Sequence, residues 1–253
     1  MKYYKELAKF ETFTLSDAMN IIGNITATKK YLTNMVKAGA VHRIKKNLYT
    51  CYNFAEYSDC ANHLQIASHI NENSFVGLHT AFEFYAFYNQ VYCEVQVFST
   101  KRFREFEYAY YYYKCYLTNS TSQVDLIKGI RVTSIERTIV DSINMLGKAM
   151  DTEELLKCLD LVHIIDINKI KEMLLEYDID LLYRKVGYIL SYYKDGLRID
   201  DSFFEFCKAK SNRLNCGYLS NYEINGLEYI SEWGIYAYKD LKKLVYKGGG
   251  IDV

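Results

Sequence analysis

The chain has 253 residues, of which 50% are hydrophobic and 25% charged, and its formal net charge is zero. This composition excludes an intrinsically disordered chain and suffices for a substantial core, in one large domain or two of ordinary size. No apolar run approaches the roughly 18 residues that a membrane-spanning helix needs, and residues 1–11 lack the apolar centre of a signal peptide. We therefore expect a cytoplasmic protein with no membrane partner.

Charge is unevenly distributed along the chain. Residues 1–50 contain nine Lys and Arg against three Asp and Glu, a net charge of +6, so the rest of the chain carries −6. A basic segment joined to a mildly acidic body predicts a polyanionic partner for the N-terminal end.

Three short helices are predicted in the first 40 residues. The first lies within residues 2–11, and the second begins after Thr14 or Ser16 as N-cap and ends at Gly23-Asn24. A third helix then ends at Gly39, where glycine tolerates a left-handed backbone.

A basic hairpin is predicted after the third helix. Two short strands, residues 41–44 and 48–51, flank Lys45-Lys46-Asn47, and Asn favours a tight turn. Three helices followed by such a hairpin are typical of a winged helix-turn-helix. The polar stretch 53–60 indicates a boundary, so we predict a DNA-binding domain over 1–58 and a second domain over 59–253.

The third helix has the pattern of a recognition helix, with Thr26 as its predicted N-cap. Leu32, Met35 and Val36 repeat at helical spacing and are expected to face the core. Lysine neutralises phosphate, threonine contacts thymine methyl groups, and asparagine pairs with adenine. The residues that this helix and the hairpin are expected to present to double-stranded DNA are Thr26, Thr28, Lys29, Lys30, Thr33, Asn34, Lys37, Arg43, Lys45, Lys46 and Asn47. The alternatives are an ordinary polar helix face and a winged helix used for protein contacts.

Both helices and strands are predicted after residue 58. Apolar spacing predicts helices at 59–71 and 74–88, strands at 92–100, within 103–117 and at 130–132, and a helix from Thr133 or Ser134 to about Leu146. Later helices are predicted at 151–163, 167–177, 180–194, 200–213 and 239–246, with a strand at 234–238 and a loose tail at 248–253. The predicted class is α+β: an N-terminal winged helix-turn-helix, then a larger mixed α/β domain with a mostly helical C-terminal part.

Three segments resemble a known family. Residues 26–49 resemble the recognition helix and wing of the AbiEi-type antitoxins, which are transcriptional regulators of type IV toxin–antitoxin systems in bacterial phage defence by abortive infection. Residues 76–83 look like the family's small-residue helix, and residues 132–141 closely match its V-T-x-x-E-R-T-I-x-D segment, the most specific of the three. Lys46 and Asn47 stand where the family has Arg and Gly, and the usual prolines near residues 76–83 are missing.

The resemblance, which covers about residues 1–165, implies a non-enzymatic repressor. It implies that the winged helix binds inverted repeats in its own promoter, with one copy per half-site. It also implies that the C-terminal domain counters a cognate nucleotidyltransferase-like toxin without forming a stable complex with it.

Other polar groups of the sequence are candidate sites. Arg137 and Asp141 are spaced for an ion pair within one helix, and with Glu136 they indicate a structural anchor in preference to a nucleotide contact. Glu94-Val95-Gln96 weakly resembles the acidic strand of restriction-type nucleases, although the required lysine is absent and no partner aspartate is well placed. The tyrosines of 108–113 indicate either a packed strand or a base-stacking surface, the latter beside basic residues that include Lys101, Arg102, Arg104 and Lys114.

No cofactor or metal is predicted. The five histidines lack metal-ligand spacing, no phosphate-binding glycine motif occurs, and the seven cysteines include no Cys-x-x-Cys pair, which indicates free thiols in a reducing compartment. Two alternatives stay open at this point: a transcription factor whose C-terminal domain senses a ligand and has no antitoxin role, and a winged-helix-fused nuclease.

Overall fold

The computed structural model describes residues 2–212, 215–220 and 226–246, and these residues form an α+β fold. Within them, helices and three β-sheets alternate along the chain. None of the described helices combines the length and the apolar character that crossing a bilayer requires.

The N-terminal elements are three helices followed by a small antiparallel sheet. The helices are α1 (Tyr4–Leu7), α2 (Leu15–Ile22) and α3 (Ile25–Lys37), and the strands are β1 (Val41–Lys45), β2 (Leu48–Asn53) and β3 (Ser58–Asp59). The strands pair in the order β1-β2-β3. Their shared core is apolar and includes Leu7, Phe13, Ala18, Leu32, Met35 and Val41.

Local signals fix the ends of α2 and α3. Thr14 caps α2 in a reciprocal capping box with Asp17, and Gly23 ends this helix with a φ of 88°. The predicted N-cap of α3 was wrong. Asn24, not Thr26, caps α3, because the Asn24 side chain accepts hydrogen bonds from the backbone N–H groups of Thr26 and Ala27.

A six-stranded mixed sheet follows, and all of it except the terminal residues Val124 and Thr133 belongs to the same compact unit as the N-terminal elements. Its strands are β4 (Ser74–Val76), β5 (Glu94–Ser99), β6 (Phe106–Tyr108), β7 (Tyr111–Leu117), β8 (Val124–Ile127) and β9 (Ile130–Thr133), in the order β6-β7-β5-β4-β9-β8. Helix α4 (His63–His69) precedes β4 in the chain, and α5 (Leu78–Phe84) follows it.

The C-terminal part is mostly helical, as predicted. Its helices are α6 (Ile135–Asn144), α7 (Thr152–Leu159), α8 (Ile167–Tyr177), α9 (Asp180–Ser191), α10 (Asp201–Lys210) and α11 (Lys242–Tyr246). Three short strands, β10 (Gly217–Tyr218), β11 (Glu228–Ile230) and β12 (Ile235–Ala237), form a sheet in the order β10-β12-β11.

The chain groups into two compact units that are not contiguous in sequence. The first contains residues 1–76, 92–121 and 125–132, and the second contains residues 77–91, 122–124 and 133–253. This grouping does not coincide with the predicted boundary at residue 58. One reason is Asp59, which pairs with His42 of β1 at 2.7 Å and accepts a hydrogen bond from the Tyr108 hydroxyl of β6 at 2.5 Å.

Two predicted elements differ in the structure. The helix predicted over 74–88 is a buried strand, β4, followed by the short helix α5, and the chain turns between them at Gly77 and Leu78, whose φ is +53°. The stretch 103–117 is a hairpin, because Ala109 and Tyr110 adopt positive φ values and reverse the chain. The predicted tail at 248–253 lies outside the described residues.

Candidate nucleic-acid interface

Helix α3 presents a mostly polar face to solvent. Of its candidate residues, Thr26, Lys29, Lys30, Thr33, Asn34 and Lys37 are exposed, as the helical spacing predicts. Leu32 and Met35 are buried, as predicted, but Val36 is 37% exposed and lies at the edge of the solvent face.

Thr28 is a correction to the predicted interface. Its relative exposure is 0%, so it faces the core and is not available for a direct contact with DNA. The Thr28 hydroxyl donates a hydrogen bond of 2.7 Å to the backbone oxygen of Asn24. This bond satisfies the hydroxyl inside the helix, so that the side chain can be buried beside Leu32 at little cost.

A groove lies between α3 and the β1–β2 hairpin. It encloses about 530 Å³ and is lined by Leu15, Lys29, Leu32, Thr33, Val36, Lys37, Arg43 and Tyr49. Four of the candidate residues therefore meet in one concave surface, although they come from two elements. The groove adds four residues that are not among the predicted DNA contacts, Leu15, Leu32, Val36 and Tyr49. The exposed Val36 side chain offers an apolar contact of the kind that thymine methyl groups accept.

The cations of this surface carry no ion pair. Lys29, Lys30, Lys37, Arg43 and Lys46 are exposed, and within the described part of the chain no carboxylate lies within 4 Å of their charged groups. Several cations elsewhere are neutralised, since Lys101, Lys114, Lys157, Arg184, Lys194 and Lys208 each pair with an acidic side chain. The positive charge of α3 and the hairpin is thus free to meet an external anion.

Lys45 differs from the other hairpin cations. Its ammonium group lies 5.1 Å from the ring centroid of Phe103 and 5.0 Å from that of Phe106, a cation–π arrangement in the same compact unit. Burial lowers the pKa of Lys45 below its ordinary value. Lys45 therefore holds the hairpin against the six-stranded sheet and offers less charge to solvent than its neighbour Lys46.

Asn47 shapes the hairpin turn. It adopts a φ of 65°, in the left-handed region that Asn tolerates better than most residues. Its side-chain oxygen accepts a hydrogen bond of 3.0 Å from the backbone N–H of Leu15, the first residue of α2. This bond ties the hairpin tip to α2, which fixes the width of the groove beside α3.

The polar residues of α6 form a buried network. Arg137 is 0% exposed, and its Nε donates to the carboxylate of Asp141 at 3.1 Å, which confirms the ion pair predicted from their spacing. Tyr177 donates to the same carboxylate, and Glu136 accepts from the backbone N–H of Asp166 at 2.9 Å. Burial raises the pKa of Asp141, against the opposing effects of Arg137 and Tyr177. These contacts join α6 to α8 and serve as an anchor.

Glu94 has a lysine neighbour in space, contrary to what its sequence context indicated. Lys114 of the adjacent strand β7 lies 3.2 Å from the Glu94 carboxylate, and the Tyr116 hydroxyl donates to Glu94 at 3.0 Å. Among the residues that the structure describes, however, no three His, Cys, Asp or Glu side chains come together where they would hold a metal ion.

Comparisons with known proteins identify a shared fold. No protein-family model and no curated protein matches the sequence. Among solved structures, the chain is similar to the crystal structure of the RV2827C protein from Mycobacterium tuberculosis, with a TM-score of 0.70 over 98% of this chain and 93% of that one. The sequence identity is 13%, so the similarity concerns the fold alone.

Proposed function

We propose that this protein is a DNA-binding transcriptional autorepressor and the antitoxin of a type IV toxin–antitoxin system. In this proposal, α1 to α3 with the β1–β2 hairpin act as a winged helix-turn-helix. Helix α3 enters the major groove, and the hairpin contacts the neighbouring phosphate backbone.

One observation carries the DNA-binding part of the proposal. Lys29 and Lys37 of α3 and Arg43 of the hairpin line a single groove, and none of the three is neutralised by a carboxylate among the described residues. A duplex supplies the anions that such a surface lacks, and Thr33 and Asn34 lie on the same helix face to contact base edges.

The antitoxin part of the proposal rests on the resemblance of residues 26–49, 76–83 and 132–141 to the AbiEi-type antitoxins. The operator is then an inverted repeat in the protein's own promoter, and the opposing toxin is a nucleotidyltransferase-like protein that forms no stable complex with this chain. Both activities belong to the cytoplasm.

The triple variant Lys29→Ala, Lys30→Ala and Arg43→Ala tests both parts in one experiment. We expect its affinity for the promoter duplex to fall by about a hundredfold, because each lost phosphate contact removes favourable counterion release. When the variant is co-expressed with the toxin gene from the same operon, we expect growth rescue to be retained.

The matched control removes the same charge elsewhere. Lys169→Ala, Arg198→Ala and Lys210→Ala change three exposed cations of the second compact unit. Operator binding that is equally weak in both triple variants would contradict the assigned interface. Failure of the wild-type protein to rescue growth would contradict the antitoxin assignment and favour a regulator that senses a ligand.

A further inference from the structure

Three tyrosines form a row across the small C-terminal sheet. Tyr218 of β10 is in register with Tyr236 of β12, and Tyr236 is in register with Tyr229 of β11. The ring centroids of Tyr218 and Tyr236 are 5.2 Å apart and those of Tyr229 and Tyr236 are 5.3 Å apart. Tyr218 is 43% exposed and Tyr229 is 49% exposed, so both ends of the row keep ring surface in contact with solvent.

The opposite face of this sheet is packed against α9. Leu219, Ile235 and Ala237 are fully buried, and a Cβ atom added at Gly217 would lie 2.2 Å from the side chain of Leu181. The packing therefore fixes the sheet and leaves the tyrosine row as its outward face.

A hollow adjoins one end of the row. Tyr229 lines it together with Tyr188, Tyr192, Trp233, Ser231 and Lys239, among others, and it encloses about 460 Å³, within the range of small-ligand sites. Tyr188 and Tyr192 are held in place by hydrogen bonds from their hydroxyls to the backbone oxygens of Tyr238 and Lys239. The row and the hollow thus form one aromatic surface, in which hydrogen bonds fix the positions of Tyr188 and Tyr192.

We propose that this aromatic surface is a second nucleic-acid site, which binds unpaired nucleobases of a single strand. A sheet that carries aromatic rings in adjacent strands is suited to stacking successive bases, whereas the bases of a duplex are already stacked and paired. The hollow accepts a further base or sugar, and the Ser231 hydroxyl in its lining offers a hydrogen bond to a base edge.

Lysines beside the hollow complement a phosphate backbone, and the one carboxylate among its lining residues, Glu232, is paired with Lys208 at 2.8 Å. Residues 239–246 contain three lysines and one aspartate, a net charge of +2. The Lys239 side chain is 76% exposed, and its contact with Glu228 is a long surface pair of 3.6 Å, which a phosphate can replace.

Trp233 provides a local signal for the test, because it is the only tryptophan of the chain and lines the hollow. The full-length protein is titrated with a short single-stranded RNA, with the DNA of the same sequence, and with the corresponding duplex. We expect one or both single strands to change the Trp233 emission with saturation, and the duplex to leave it unchanged. A difference between RNA and DNA identifies which single strand the site prefers.

Three variants make the test specific. Tyr218→Leu with Tyr229→Leu removes the rings at both ends and should weaken single-strand binding by about tenfold or more, whereas the double Phe variant keeps the rings and the affinity. If the double variant does not fold, Tyr229→Leu alone replaces it in the test, because Tyr229 lies on an edge strand where a substitution disturbs the sheet least. Tyr110→Leu removes a tyrosine that is 98% exposed in the other compact unit and should change nothing.

Two outcomes would overturn the proposal: single strands that do not bind to the wild-type protein, and Leu variants that bind them as tightly as the wild type. The site is independent of the operator surface. The variant with Lys29, Lys30 and Arg43 replaced by alanine should therefore retain single-strand binding even where operator binding is lost.

Discussion

Lys45 and Lys46 are adjacent in the hairpin but occupy different environments. The ammonium group of Lys45 lies over the rings of Phe103 and Phe106, whereas Lys46 is exposed and has no acidic partner in the described part of the chain. The two residues carry the same charge, so their roles can be separated by the same substitution at each position.

We expect Lys45→Met to change mainly the stability of the protein and Lys46→Met to change mainly its affinity for the operator. Lys45→Met should lower the free energy of unfolding by about 1 kcal/mol, because two cation–π contacts are lost, and should change operator affinity little. Lys46→Met should leave the free energy of unfolding within about 0.5 kcal/mol and weaken operator binding several-fold. Urea denaturation and operator titration of both variants provide the measurements. Equal losses of affinity in the two variants would show that Lys45 leaves its rings to contact DNA.

The exposed lysines of α3 could be predicted from helical spacing. The same spacing puts Thr28 on the core face, four residues before Leu32, although its polarity favoured exposure, whereas the environment of Lys45 could not be predicted from spacing. Thr28 is buried because the backbone oxygen of Asn24 accepts its hydroxyl, and a polarity scale does not contain that local bond. Lys45 is partly buried because Phe103 and Phe106 come from a distant part of the chain. A local hydrogen bond accounts for the first position and a tertiary contact for the second.

Elements with distinct end signals could be predicted, whereas buried or very short ones could not. Gly23 ends α2 and Ser134 caps α6, as the sequence indicates. The apolar run 74–84 contains both a buried strand and a helix, and the spacing of apolar residues does not separate two fully buried elements. The two-residue strand β10 offers no periodicity at all.

Helix α9 contains a buried cation that has no acidic partner among the described residues. Every residue from Leu182 to Leu190 is buried, and Lys185 is only 7% exposed. Burial, together with the nearby charge of Lys148, lowers the pKa of Lys185 from 10.5 to about 8. At neutral pH the folded protein therefore keeps an ammonium group in an unfavourable environment.

We expect Lys185→Met to stabilise the protein at pH 7 by about 2 kcal/mol, because it removes this desolvation cost. The unfolded chain holds the lysine proton more tightly than the folded protein between about pH 8 and the ordinary pKa of 10.5, so wild-type stability gains from rising pH in that window. The advantage of the variant is therefore complete below about pH 8 and shrinks above it. Denaturant titrations across this range provide the measurement, with the exposed Lys169→Met as control. A pH-independent difference would show that packing, not charge, is responsible.

For the whole molecule, the sequence predicted the α+β class but not the grouping of residues. Residues 59–76 join the N-terminal elements in the first compact unit, whereas 77–91 belong to the second. The polar stretch 53–60 predicts one boundary, because polar stretches commonly separate contiguous domains. Here the chain passes between the units several times, and strand pairing over long sequence separations determines which segments group together.

The charge of the whole chain leads to a prediction for salt dependence. Because the net charge is zero, the proposed binding to DNA depends on the local surface of Lys29, Lys30, Lys37, Arg43 and Lys46. If these five cations each contact a phosphate, the logarithm of operator affinity should fall with the logarithm of salt concentration with a slope of about −4 to −5 per bound copy. The triple variant of Lys29, Lys30 and Arg43 should reduce that slope by about 3, and the triple variant of Lys169, Arg198 and Lys210 should leave it unchanged. A wild-type slope near zero would contradict binding through this surface, whereas a much steeper one would require further cations to reach the duplex.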